Sequence, residues 1–314
     1  MANLKELSKK PEGFSGGHRA CAGCSAPIVA RMLYMAADVP IVVGCATGCL
    51  EVVSTIFPFT SWKGSFIHSA FENSAATVSG VEAAYRSLKK QGKYDKDVKF
   101  IAMGGDGGTY DIGLQSLSGA MERGHNMVYV CYNNEAYMNT GVQRSGATPR
   151  AAETTTSPVG KAIQGKQQFR KNLTEIMIAH GIPYAAQAVP SRWNDMITKL
   201  EKALNCGGPA FVNVLAPCRL GWAFPAEETI EIGRLAADTC AWPLYEVENG
   251  VYKITYKPRE KKPITDYLKA QTKYRHLFRP GMESIIADIQ AQVDRNWNRL
   301  LKLEELGAAL VGGE

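Results

Sequence analysis

A single acidic residue set among glycines is followed, one predicted strand–helix–strand unit later, by a pair of asparagines. Asp106 lies between Gly105 and Gly107 in the segment GGDGG, and Asn133 and Asn134 end the apolar run NMVYVCYNN. Mg²⁺ prefers a few oxygen ligands from the protein together with phosphate oxygens. The spacing therefore predicts a magnesium–diphosphate site. The simpler alternative is a surface Asp-Gly turn with an unrelated asparagine pair.

Cysteines supply the second candidate chemistry, and the sequence contains eight of them. Cys21 and Cys24 form a C-x-x-C pair, Cys49 ends the motif ATGC, and Cys218 ends LAPC. Two close and two distant thiolates can make a tetrahedral set for a [4Fe–4S] cluster or for Zn²⁺, and spacing does not decide between them. Cys45 competes with Cys49 as a ligand. The other three are interpreted as structural residues: Cys131, Cys206 and Cys240.

The composition is that of an ordinary globular protein, with 314 residues, 45% hydrophobic and 21% charged. No apolar run approaches the roughly 18 residues of a membrane span, and the first residues lack the apolar core of a secretory signal. We therefore expect a cytoplasmic protein with reduced cysteines and no membrane contact. The net charge of +6 is modest and much of the excess lies in 253–279, so nucleic-acid binding is not expected either.

Alternating apolar patterns predict the elements that position these residues. Short apolar runs predict strands at 41–46, 98–105, 126–134, 184–189 and 210–215. Amphipathic runs predict helices at 28–37, 73–89, 112–123, 169–180, 191–205 and 281–305. This alternation is typical of an α/β fold, a parallel sheet with helices on both faces. We predict a cofactor-binding domain at 1–225 and, at 226–314, a C-terminal arm and helix that make subunit contacts.

Ligands of parallel α/β sheets bind at the carboxyl ends of the strands. Asp106 follows the predicted strand 98–105 and Asn134 ends the next one, so a right-handed crossover brings both residues to one edge. The helix that begins near Ile112, with Asp111 as the expected N-cap, points its N-terminus at the same place. A helix N-terminus is a natural seat for a phosphate group.

Gly-Asp-Gly followed at this distance by Asn-Asn resembles the thiamine diphosphate signature. Together with CAGC, ATGC, YNNEAYMNTG and LAPC, in this order, it resembles the β subunit of 2-oxoacid:ferredoxin oxidoreductases over about residues 14–225. The resemblance implies the diphosphate-binding type of thiamine diphosphate fold. It implies that the Mg²⁺ ligands are Asp106, Asn134 and the carbonyl of Ala136. It implies that a [4Fe–4S] cluster is held by Cys21, Cys24, Cys49 and Cys218.

The same resemblance suggests further site residues. Those expected to line the cofactor pocket are Thr47, Gly48, Gly105 and Gly107. Asn139 is similar to a family position near the reacting carbon, where its amide would hydrogen-bond the substrate, although it equally suits a turn cap. The loop Thr140–Pro158 is expected to lie over the site. His68 suits an acid–base role, but a lone histidine is more often structural.

The implied activity is oxidative decarboxylation of a 2-oxoacid, with electrons passed through [4Fe–4S] clusters to ferredoxin. A partner subunit would supply the glutamate that activates the cofactor, and a further ferredoxin-like subunit would carry electrons away. Arg150 is expected to favour a compact dianionic substrate, which suggests oxalate without coenzyme A. The alternatives are pyruvate with coenzyme A, and a non-redox decarboxylase with a zinc site.

Overall fold

An eight-stranded sheet forms the centre of the computed structural model, which describes residues 3–311. Its strands are β1 Ile41–Ala46, β2 Ser65–Ser69, β3 Lys99–Gly105, β4 Val128–Asn133, β5 Tyr184–Ala188, β6 Ala210–Leu215, β7 Leu244–Glu248 and β8 Val251–Tyr256. The order across the sheet is β2-β1-β3-β4-β6-β5-β7-β8. The first six strands are parallel, and β7 and β8 are antiparallel. The predicted α/β class is confirmed.

Helices cover both faces of this sheet. They are α1 Leu4–Leu7, α2 Ala26–Ala36, α3 Cys49–Ser54, α4 Ser74–Lys90, α5 Leu114–Glu122, α6 Leu173–Ile178, α7 Trp193–Asn205, α8 Arg219–Trp222, α9 Thr229–Asp238, α10 Ile264–Lys269 and α11 Glu283–Val311. On one face α2 and α7 contribute Leu33 and Leu200 to a buried cluster with Val130 of β4. On the other face α4 and α5 contribute Val78 and Leu117 to a second cluster. Every helix within residues 3–311 is too short or too polar to span a bilayer.

The central strands are buried on both sides. In β4, Val130 belongs to one buried cluster and Cys131 to the other, because successive side chains of a strand point to opposite faces. A strand covered on both faces reads as a continuous apolar run rather than an alternating one. For this reason the apolar runs predicted the bounds of β3, β4 and β6 to within two residues.

The order of strands reverses between β1 and β3. From β1 the chain continues to β2 on one side, and then returns to form β3 on the other side of β1. A crevice opens at such a switch point, outside the carboxyl ends of the strands. Thr47 follows β1 and Asp106 follows β3, so both residues lie at this crevice.

The helical turn after Asp106 begins earlier than predicted. Gly107–Ile112 is a π-helix that leads into α5. A Cβ atom at Gly113 would lie 2.1 Å from the Gly108 carbonyl, so the wide turn needs glycine there. Asp111 is not the N-cap that was expected. Its carboxylate instead accepts a hydrogen bond from the backbone of Gly146 at 2.8 Å and fastens the long loop that follows β4.

Residues 226–311 are built onto the first part of the chain. β7 pairs with β5 and extends the same sheet, and β8 closes a hairpin against β7. The predicted boundary at 225 is therefore not a break in the sheet, and the hairpin was missed because the sequence pattern weakens there. The predicted role of these residues in subunit contacts stays a prediction.

Candidate functional site

Three oxygen-bearing groups converge where β3 and β4 end. Asp106 is fully buried, and its carboxylate accepts a hydrogen bond from the Asn134 backbone at 3.1 Å. One side-chain amide atom of Asn134 lies 2.9 Å from a carboxylate oxygen of Asp106 and 2.9 Å from the carbonyl oxygen of Ala136. If this atom is the amide nitrogen, Asn134 donates two hydrogen bonds, one to Asp106 and one to Ala136. If it is the amide oxygen, oxygens of Asp106, Asn134 and Ala136 face one another.

The second orientation of Asn134 suits a magnesium ion. Neighbouring ligands of an octahedral ion bound at 2.0–2.1 Å are about 2.9 Å apart, which is the distance from the Asn134 amide atom to each of the other two oxygens. Burial raises the pKa of Asp106 to about 7, against hydrogen bonds from Ser145 and Asn134 that lower it. A carboxylate buried this deeply is stabilised by a nearby cation. The donor set therefore fits Mg²⁺, and the magnesium site stays a prediction.

Ser145 is a site residue that sequence reasoning missed. Its hydroxyl donates to the Asp106 carboxylate at 2.5 Å and is itself buried. Thr148 donates from its hydroxyl to the Glu135 carbonyl at 2.6 Å, within the turn that carries Asn134. Ser145 and Thr148 both belong to the loop Thr140–Pro158, which was expected to lie over the site. The contact between Ser145 and Asp106 was not expected, since no spacing rule joins the two residues.

Aromatic packing requires glycine at position 107, directly after Asp106. A Cβ atom at Gly107 would lie 2.5 Å from the Tyr137 ring. That ring stacks on Phe71 with ring centroids 5.7 Å apart. A side chain at Gly107 would therefore displace Tyr137, one residue beyond Ala136. The expected cofactor contacts of Gly105 and Gly107 stay predictions.

The four predicted cluster ligands border one cavity of about 260 Å³. They are Cys21, Cys24, Cys49 and Cys218. Asn134 and Asn139 line the same cavity. Among residues 3–311, no three His, Cys, Asp or Glu side chains converge tightly enough to hold a single metal ion. The cysteines are thus spread around a space rather than gathered at a point.

Burial raises the pKa values of the Cys24, Cys49 and Cys218 thiols. The pKa of Cys24 rises to about 11 and that of Cys49 to about 12, with the neighbouring cysteines adding to the burial effect. Thiolates are the form that binds metal, so a cationic centre has to offset this cost. Such thiols are suited to a centre that brings its own positive charge, and less suited to acting as free nucleophiles.

The other four cysteines lie outside this cavity. Cys45 is fully buried in β1 and packs in the apolar cluster under α2, so it does not compete with Cys49. Cys131 is fully buried in β4, as predicted. Cys206 packs against the same cluster as Cys45, and Cys240 is buried near α10. All eight cysteines are free thiols.

Thr47 is part of a short polar chain near the cysteine cavity. Its hydroxyl lies 2.7 Å from Nε2 of His68, whose Nδ1 is 3.5 Å from the Glu51 carboxylate. Gly48 then separates Thr47 from Cys49 at the start of α3. The His68 ring thus has a polar neighbour on each nitrogen, which suits the structural role, and it does not line the cysteine cavity.

Asn139 and Arg150 occupy different places, although both were predicted to be catalytic. Asn139 is exposed at the edge of the cysteine cavity. Arg150 forms an ion pair of 2.8 Å with Asp288 of α11 and stacks over Phe169 at 5.3 Å. It lines a separate cavity of about 200 Å³. The guanidinium that was expected to select an acidic substrate is therefore already paired, away from Asn139.

Comparisons with known proteins agree with this geometry. A family model described as thiamine pyrophosphate enzyme, C-terminal TPP binding domain, matches residues 43–214. The chain is 54% identical to pyruvate synthase subunit PorB of Thermotoga maritima, over 97% of each chain. This chain belongs to the 2-oxoacid:ferredoxin oxidoreductase β subunits.

Two further relatives are named for different 2-oxoacids, pyruvate and ketoisovalerate. This β subunit is 56% identical to pyruvate synthase subunit PorB of Methanocaldococcus jannaschii, over 88% of this chain and 93% of that one. It is 41% identical to ketoisovalerate oxidoreductase subunit VorB of Pyrococcus abyssi, over 94% of each. These relatives favour pyruvate, the alternative, over oxalate, which was the main expectation from Arg150.

A solved structure shares the fold of the β subunit. The 2-oxoglutarate:ferredoxin oxidoreductase from Magnetococcus marinus matches with a TM-score of 0.56 and 20% identity, over 74% of this chain and 81% of that one. At this identity the likeness concerns the fold alone. It agrees with the mostly parallel sheet that carries the site.

Proposed function

We propose that this β subunit takes part in the coenzyme A-dependent oxidative decarboxylation of pyruvate, with two electrons passed to ferredoxin. The single observation that carries the proposal is the shared cavity. The four cysteines, Asn134 and Asn139 border it together, and Asn134 also faces Asp106. A thiamine diphosphate bound at Asp106 and Asn134 would have an electron acceptor, the proposed cluster, beside it.

Two groups would supply the chemistry. Thiamine diphosphate provides an electron sink for breaking the bond between the carboxylate and the keto carbon, and a [4Fe–4S] cluster accepts single electrons. The protein's residues bind and orient these groups. Asp106, Asn134 and the Ala136 carbonyl would hold Mg²⁺ and, through it, the diphosphate. Ser145 keeps the Asp106 carboxylate oriented from behind.

The cysteine set supports a cluster over a zinc ion. Zn²⁺ binds four sulfurs at about 2.3 Å, which requires all of them close to one point. The four cysteines line a cavity of about 260 Å³ instead. A [4Fe–4S] cube fills space between its ligands and suits such an arrangement. Asn139 lies at the edge of the same cavity, and we propose that its amide donates a hydrogen bond to a substrate oxygen.

Other subunits complete the proposed enzyme. This chain has one Gly-Asp-Gly segment, which accounts for the diphosphate half of a thiamine site. We propose that one partner supplies the pyrimidine half with its activating glutamate, and that a ferredoxin-like partner carries electrons to ferredoxin. Isolated β subunit should therefore lack turnover, whereas the co-expressed complex should show it.

Substrate preference is tested on the complex purified without oxygen. Reduction of a viologen dye is measured with pyruvate, 2-oxoisovalerate or oxalate, each with and without coenzyme A. We expect the highest kcat/KM with pyruvate, and we expect that rate to depend on coenzyme A. A higher kcat/KM for oxalate than for pyruvate, without coenzyme A, would instead identify oxalate as the substrate.

Metal analysis tests the cofactor assignment separately. The complex should contain iron and acid-labile sulfide and show a broad visible absorption that bleaches on reduction. The test variant is Cys21→Ala combined with Cys24→Ala, which should lose the iron assigned to this chain, and the wild-type complex is its control. A colourless β subunit with stoichiometric zinc would instead support a non-redox decarboxylase.

A further inference from the structure

A lysine from the C-terminal part of the chain is buried directly behind the turn 134–136, which carries two of the proposed Mg²⁺ ligands. Lys273 lies in the 3₁₀ helix Thr272–Phe278, and its ammonium is 2.6 Å from the Glu135 carboxylate. The side chains of Lys273 and Glu135 are 6% and 1% exposed. Glu135 is the residue between Asn134 and Ala136. The ion pair thus ties the C-terminal part to the turn that carries two proposed Mg²⁺ ligands.

The backbone of this turn needs support. Glu135 has a φ of +69°, a left-handed conformation that residues with a side chain rarely adopt. Such conformations persist where the surroundings fix them. Three contacts do so here: Thr148 donates to the Glu135 carbonyl at 2.6 Å, Lys273 pairs with its carboxylate, and Arg170 lies 3.2 Å from the second carboxylate oxygen.

Lys273 also lies next to the cysteine side of the site. Its ammonium is 3.8 Å from the centre of the Trp222 ring, a cation–π contact. Trp222 ends α8, whose N-cap is Cys218, and its indole donates to the Asn134 carbonyl at 2.8 Å. The Gly221 backbone, in the same short helix, donates to Cys218 Sγ at 3.4 Å. One buried ammonium therefore contacts a residue in each half of the site, Glu135 and Trp222.

We propose that Lys273 is a positioning residue that links the two cofactor sites. Through Glu135 it holds the Asn134–Ala136 turn in its metal-binding conformation, and its charge stabilises electron density on the centre bound by Cys218. The proposal rests on the proposed function, because it assumes that both groups bind where the geometry places them. It adds a role for the C-terminal part of the chain that extends beyond subunit contacts.

The charge effect has a definite sign. Reduction of a cluster adds negative charge, so a nearby cation raises its reduction potential and a nearby anion lowers it. Replacing Lys273 should shift the midpoint potential of the cluster to more negative values. Replacing Glu135 should shift it to more positive values. A purely structural ion pair has no reason to give opposite shifts.

The test uses the complete complex with Lys273→Met, and Lys269→Met as the matched control. Lys269 is an exposed lysine of the same region whose ammonium lies 5.6 Å from the Phe278 ring centre. Two quantities are measured: Mg²⁺-dependent affinity for thiamine diphosphate, by tryptophan fluorescence, and the cluster potential, by a redox titration followed by electron paramagnetic resonance. We expect Lys273→Met to weaken cofactor binding by about 10- to 100-fold and to lower the potential.

A buried charge left unpaired can prevent folding, so a second comparison is made between two variants that both lack the Glu135 carboxylate. Arg170 loses its partner in both variants, so that effect cancels. Glu135→Gln is compared with Glu135→Gln combined with Lys273→Met, which leaves no charge of the pair behind. We expect the double variant to have a more negative potential than Glu135→Gln alone. Affinity and potential equal to those of Lys269→Met, with no difference in the second pair, would overturn the proposal. Wild-type complex without thiamine diphosphate or cluster would instead overturn the proposed function.

Discussion

The Ser145 hydroxyl donates a 2.5 Å hydrogen bond to the buried Asp106 carboxylate, across 39 positions of sequence. The other carboxylate oxygen is the one that faces Asn134. Ser145 therefore fixes one oxygen of Asp106, and the other accepts from the Asn134 backbone and keeps a lone pair for a metal ion. Residues that orient a ligand in this way contribute to metal affinity although they do not touch the metal.

Removing this hydroxyl should weaken the cofactor site without unfolding the protein. We expect Ser145→Ala in the complete complex to lower the affinity for thiamine diphosphate with Mg²⁺ by about 10- to 100-fold. Equilibrium dialysis at fixed Mg²⁺ measures this. Ser157→Ala, in the same loop, is the control and should bind as wild type does. Equal affinities for the two variants would show that Ser145 is not needed to orient Asp106.

Two neighbouring cysteines should behave differently when replaced. Cys49 lines the shared cavity, whereas Cys45 is fully buried in β1. We expect Cys49→Ala to lose the iron of this chain and its visible absorption. Cys45→Ala should keep both and lose only about 1 kcal/mol of unfolding free energy, the usual effect of a small core deletion. Iron loss in Cys45→Ala with retention in Cys49→Ala would reverse the assignment.

Arg150 should contribute to stability and not to substrate choice. Its guanidinium pairs with Asp288, and its side chain is 27% exposed. We expect Arg150→Met to leave the ratio of kcat/KM for pyruvate and oxalate unchanged, and to lower the unfolding free energy by about 0–1 kcal/mol, as a partly exposed pair does. Asp288→Asn should have the same small effect. A changed substrate ratio in Arg150→Met alone would place Arg150 in the active site after all.

Stability at alkaline pH should depend on Lys166. This buried ammonium donates to the carbonyl oxygens of Ser145 and Thr148, and burial lowers its pKa to about 8, with Arg144 and Arg170 adding to the effect. The unfolded chain keeps the ordinary, higher value, so between about pH 8 and 10 the unfolded state binds more protons. The wild type should therefore gain stability relative to Lys166→Met as pH rises through this window.

Chemical denaturation at several pH values between about 7 and 10 measures that difference, since Lys166→Met lacks the titrating group. Other lysines, tyrosines and cysteines titrate in both proteins and cancel in the comparison. A stability difference that stays constant with pH would mean that Lys166 has an ordinary pKa in the folded protein.

The sequence alone determined the core strands and the types of residues at their ends. Runs such as 98–105 and 210–215 are apolar because both faces of those strands are covered, and a continuous apolar run is visible without knowing what covers it. The loop Thr140–Pro158 was expected over the site, but the contact of its Ser145 with Asp106 and the hairpin β7–β8 escaped detection. Their residues are held by contacts with distant parts of the chain, which no local pattern encodes.

Only the tertiary structure decided which of the candidate residues share a site. Cys45 and Cys49 are four positions apart, yet a strand end separates a core thiol from one that lines a cavity. Arg150 was expected to select the substrate, but Asp288 of α11 pairs with it. Sequence fixes residue types and local periodicity, while the direction of each side chain follows from packing between elements that are far apart in the chain. The position of Lys273 behind Glu135 is the clearest case, because 138 residues separate the two.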